Sequence, residues 1–91
     1  MSIETFKNKN LRKFFIDGDD KKIPAEMRDK LSTLLDLLDA AASKKDLNLA
    51  SFHELKGDRK GTFSWTVTAN YRLTFKFGDG EASEVDLEDY H

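Results

Sequence analysis

The chain is predicted to be an α+β protein, with two N-terminal helices packed on one face of a twisted antiparallel sheet in the order β-α-α-β-β-β-β. Three observations lead there. Apolar residues recur at helical spacing before residue 43, the period switches to two after residue 50, and turn signals at Thr68-Ala69-Asn70 and Gly78-Asp79-Gly80 divide the second half. At 91 residues the chain is expected to form a single domain, 1–91. A domain of this size buries only about 60–65% of its unfolded surface, so the core must be compact. Seven Phe, one Trp and two Tyr in a 38% hydrophobic chain supply it.

Taken in order, residues 2–6 (SIETF) read as a short strand and 7–17 as a first helix with Leu11, Phe14 and Phe15 on one face. Asp17, Gly18, Asp19 and Asp20 stop that helix, because Gly and clustered Asp favour turns. Pro24 suits a first helical turn, where its missing N–H is not needed. Met27, Leu31, Leu34, Leu35, Leu38 and Ala42 then mark one face of a second helix running to about Ala42, which the polar stretch SKKDLN ends. A short strand is expected at 52–55. Phe63, Trp65 and Val67 alternate with Ser64, Thr66 and Thr68; Tyr71, Leu73, Phe75 and Phe77 alternate with Arg72, Thr74 and Lys76; Val85 and Leu87 alternate with Asp86 and Glu88. One sheet face is therefore apolar and meets the helices. The other, with Ser64, Thr66, Arg72, Thr74 and Lys76, is expected to be exposed or used.

The chain has no cysteine, which excludes disulfides, thiolate metal sites and a cysteine nucleophile. MSIETFKNKN lacks the apolar run of a signal peptide and no stretch approaches transmembrane length, so a cytoplasmic protein without membrane contact is expected. Net charge is −2, unevenly spread: +3 over residues 1–15, +3 over 51–76, −2 over 16–50, and six carboxylates with no Lys or Arg over 77–91. Exposed charges further apart than about 8 Å are largely screened from each other, so a local cationic groove is compatible with an acidic total.

Three segments, HELKGDRKGTFSWTV (53–67), NYRLTFKF (70–77) and VDLEDYH (85–91), carry a resemblance to a known family. Together with F-K-x-K-x-L-x-x-F-F at 6–15, IP at 23–24 and LDAA at 38–41, the chain resembles the HigB-type toxins, the plasmid-maintenance killer-protein branch of the RelE/ParE superfamily. The resemblance implies a RelE-like fold of two helices on an antiparallel sheet, ribosome-dependent endoribonuclease cleavage of mRNA, and neutralisation by a HigA-type helix-turn-helix antitoxin. It further implies entry into the ribosomal A site and operator DNA binding by the toxin–antitoxin complex through the antitoxin. The family's active-site residues correspond to His53, Lys56, Arg72, Asp89, Tyr90 and His91; Arg59 and Lys60, in the charged loop beside Lys56, are further candidates to bind the substrate phosphate. Most relatives are basic; this chain departs from that.

The chemistry so implied requires no cofactor and no metal. The RNA's own 2′-hydroxyl attacks the adjacent phosphorus, a base takes its proton, an acid protonates the leaving 5′-oxygen, and cations stabilise the phosphoryl oxygens. Histidine, with a free pKa near 6.5, suits both proton transfers. His53 and His91 are expected to perform them, in either order, with Asp89 orienting an imidazole or serving as auxiliary base. Tyr90 would contact the sugar or stack on a base, and Lys56 and Arg72 would hold the scissile phosphate. Outside the resemblance each of these residues has a plainer default: a frayed terminal His, an ordinary partly buried His, a solvated charged face. Two other functions suit the same fold. One is a ParE-like toxin that binds DNA gyrase without catalysis; the other is an interaction module of a repressor complex.

Overall fold

The computed structural model describes residues 2–49 and 51–89. Helix α1 spans Lys9–Asp17, and helix α2 spans Arg28–Ala40. Strands β1 (His53–Glu54), β2 (Thr62–Thr66), β3 (Tyr71–Gly78) and β4 (Glu81–Asp89) form one antiparallel sheet in sequential order. This is the expected α+β architecture.

The helix ends differ from expectation for identifiable reasons. The Asn8 side chain accepts from the Leu11 amide and caps α1, so the helix starts at Lys9 rather than Lys7. At its far end Gly18 adopts the left-handed conformation (φ 71°), and the Asp19 amide returns to the Lys13 carbonyl at 3.2 Å. After Pro24 the chain makes a 3₁₀ turn, Ala25–Met27, before α2 proper. Helix α2 stops at Ala40 because Ala41 turns to extended backbone, and the Asp46 carboxylate accepts from the amides of Ala42 and Ser43. The polar stretch that follows is a 3₁₀ turn, Lys44–Leu47, whose Leu47 is buried.

Residues 2–6 do not join the antiparallel ladder. They run parallel to β4 along its free edge, with bridges Ile3–Ala82 and Phe6–Val85. The Lys7 amide donates to the Val85 carbonyl at 2.9 Å, and the Val85 amide donates to Thr5 at 3.1 Å. Beside this edge, the register between β3 and β4 slips between Thr74 and Lys76, leaving Glu84 as the extra residue of a bulge with φ 51°. Ala82 and Val85, three positions apart, both enter the core as a result.

The core joins Leu11, Met27, Leu31, Leu35 and Leu38 from the helices to Phe63, Trp65, Leu73, Phe75 and Val85 from the sheet. Trp65 is fully buried, packs 5.1 Å from Phe75 between ring centroids, and donates its indole N–H to the Leu47 carbonyl at 2.9 Å. That bond ties the 3₁₀ turn after α2 to the middle of β2. Trp65→Phe leaves a buried carbonyl without its donor and is expected to cost about 2 kcal/mol, read as a lower urea midpoint at unchanged m value.

Candidate active site

Register places the polar side chains of the sheet in rows on the face opposite the helices. His53, Ser64, Thr74 and Asp86 are consecutive cross-strand partners and cross all four strands. Thr66, Arg72 and Glu88 form the next row on one side, and Thr62 and Lys76 the next on the other. The bulge at Glu84 is what returns Asp86 and Glu88 to this face, since a one-residue slip reverses every side chain beyond it.

This face is not simply exposed. Ser64 and Thr74 are each 1% accessible, covered by a polar layer that closes over the sheet. Glu88 is the centre of the layer. Arg59, from the 3₁₀ turn Gly57–Arg59, meets it with both guanidinium nitrogens, Nη1 to Oε1 at 2.9 Å and Nη2 to Oε2 at 2.5 Å. Thr74 donates its hydroxyl to Oε2 at 2.6 Å, and Arg72 Nη2 lies 3.7 Å from Oε1. The Arg59 bond is the main reason the Glu88 carboxyl is lowered from 4.5 to about 2, with Thr74 and the charge of Arg72 adding to it against the cost of burial. The same bond raises the Arg59 guanidinium above its ordinary value.

His53 lies at the edge of the sheet, exposed, with Nε2 3.3 Å from Ser64 Oγ and Nδ1 3.2 Å from the Ser51 carbonyl. Its imidazole thus has a hydroxyl neighbour on the polar face and a carbonyl behind it, which would set the tautomer. Lys56 and Lys60 share a hollow of about 320 Å³ beside Leu55 and Gly57. Lys60 and Arg59 also line a polar cleft of about 190 Å³, together with Lys7, Lys76 and Thr74.

The structure therefore brings His53, Arg59, Lys60 and Arg72 to one face and sets Lys56 beside it on the loop following β1. Asp89 does not share the Glu88 row: it pairs with Tyr71, and alternation assigns it to the Leu87 side of the sheet, at the rim. Tyr90 and His91 lie outside the described residues. Glu88 and Thr74 were not singled out from sequence as site residues, nor was Lys7. For Glu88 the signal was present in its alternation with Leu87, which places it opposite Arg72; the run of carboxylates around it masked that signal.

Residues 4–91 match the RelE-like toxins of type II toxin–antitoxin systems, HigB. The chain is 41% identical over 91 residues to Endoribonuclease HigB of Proteus vulgaris, covering 98% of this chain and 99% of the relative. It is 37% identical over 94 residues to Toxin HigB-1 of Vibrio cholerae, covering 97% and 96%. The class defined by this fold and polar face is that of the RelE-like toxins. Within it the chain belongs to the HigB family, and as a toxin of a type II system it is the counterpart of an antitoxin.

The lowered Glu88 pKa has a pH signature. Glu88 contributes stability above its unfolded value near 4.5, and that contribution is lost as pH falls through about 2. Glu88→Gln is expected to be less stable than the parent by about 2 kcal/mol at pH 7, allowing for partial solvent screening. Urea titrations of both proteins should show this gap constant above pH 5 and closing below it.

Proposed function

We propose that this chain is a metal-independent endoribonuclease that cuts mRNA in the ribosomal A site, held inactive by a HigA-type helix-turn-helix antitoxin. The reading rests on one observation above all. An exposed imidazole, His53, stands on the same sheet face as a layer of guanidinium and ammonium groups, with β1 and β3 about 10 Å apart at ordinary strand spacing. RNA cleavage by internal 2′-hydroxyl attack needs that combination: proton-transfer groups beside fixed positive charge. The name of the Proteus vulgaris relative points the same way.

In this reading His53 and His91 move the two protons, Asp89 orients an imidazole or assists as a base, and Tyr90 contacts the sugar or a base. Lys56 and Arg72 hold the scissile phosphate, with Lys60 beside them. Arg59, doubly bonded to Glu88, supports the phosphate by keeping that carboxylate aligned and Arg72 in place. The chain acts as one domain, in the cytoplasm, where its mRNA and ribosomes are; no helix among the described residues is long and apolar enough to cross a membrane. Bound to its antitoxin it sits on operator DNA through the antitoxin's helix-turn-helix.

Primer extension on a reporter mRNA after induction tests the reading. Discrete cuts are expected with the parent chain. His53→Ala and His91→Ala should each lower the cleavage rate by about 10²–10⁴ while the circular dichroism spectrum is unchanged. Full activity in both single variants would overturn the assignment of the proton transfers, and intact mRNA with arrested DNA replication would indicate a ParE-like mode instead.

A further inference from the structure

The polar cleft of about 190 Å³ adjoins the His53 row and shares Thr74 with it, and the geometry points to a role for its far side: we propose that it is a second phosphate subsite, which takes the RNA backbone one nucleotide away from the cut. The inference rests on the ribonuclease reading and adds a site to it.

Position is the first argument. The cleft gathers around Thr62 and Lys76, the row next to that of His53, Ser64 and Thr74. Two residues along a strand advance about 6.8 Å, the scale of one step between successive phosphates of a single strand. Charge is the second. Lys76 is engaged by Glu84 at 3.2 Å and Arg59 by Glu88. Lys7 and Lys60 have no carboxylate at ion-pair distance among the described residues, and both side chains are exposed. The parallel edge segment delivers Lys7 and the loop before β2 delivers Lys60, so two uncompensated ammonium groups converge from distant parts of the chain.

The lining also says what the ligand is. Among the described residues no aromatic side chain contributes to it, whereas a base subsite needs a stacking platform. Ammonium groups are compact point charges suited to backbone oxygens, and backbone contacts position a strand without reading its sequence. Asp58 and Glu84 also line the cleft, so it is suited to one phosphodiester charge held from the lysine side.

The test uses ribosomes programmed with mRNAs in which one phosphodiester at a time is replaced by an uncharged methylphosphonate, cut under single-turnover conditions. With the parent toxin, neutralising one linkage adjacent to the cut is expected to slow cleavage about tenfold, the scale of one charge-assisted bond. Lys7→Ala should be slower by a similar factor on unmodified mRNA and should lose its sensitivity to that linkage, while Lys7→Arg restores it. Equal sensitivity in the parent and Lys7→Ala would overturn the subsite and leave the ribonuclease intact. Failure of the parent to cut unmodified mRNA would remove the activity reading, and the subsite with it.

Discussion

The Glu88 carboxylate organises the polar face of this protein. Without it, two guanidinium groups and a threonine hydroxyl would crowd a largely covered patch of sheet without the carboxylate that Arg59 and Thr74 bond directly. Like charges so placed repel, and the geometry would spread. With it, Arg59 is drawn in from its loop, Arg72 is aligned along β3, and Thr74 is bonded although buried. A ribonuclease needs cations that stay put while charge develops on phosphorus. A half-buried acid among basic groups costs net charge and gives order in return.

Glu88 reaches that position through an irregularity of the backbone. Strict alternation from Ala82 would carry Glu84, Asp86 and Glu88 on one side and Val85 and Leu87 on the other only if Ala82 faced away from the helices. Ala82 is instead buried, and the bulge at Glu84 resets the phase. The same residue engages Lys76, so the bulge shapes both the strand and the neighbouring cleft.

Much of this was legible in the chain itself. The alternation of Phe63, Trp65 and Val67 and of Tyr71, Leu73 and Phe75 located β2 and β3, and the Leu31, Leu34, Leu35, Leu38 spacing located α2. The start of β4 was not legible, because the bulge interrupts period two and leaves only Val85 and Leu87 in pattern. The burial of Ser64 and Thr74 escaped notice because the layer over them is assembled across the chain, Arg59 of the Gly57–Arg59 turn reaching Glu88 on β4, 29 residues away. Lys7 is hidden more thoroughly: a parallel edge contact between the two ends of the described chain has no local pattern at all. His53, Lys56 and Arg72 stood out through a family likeness, since their spacing alone marks nothing.

The edge contact also orders events in time. Hairpins β2–β3 and β3–β4 close over short loops and can form as soon as their residues exist. Thr5 and Lys7 must wait for Glu84 and Val85, which lie 79 residues further along in the case of the Thr5–Glu84 bond, before they can dock. A growing chain therefore lacks this part of its cationic surface until β4 has left the ribosome, however early Lys7 itself was made.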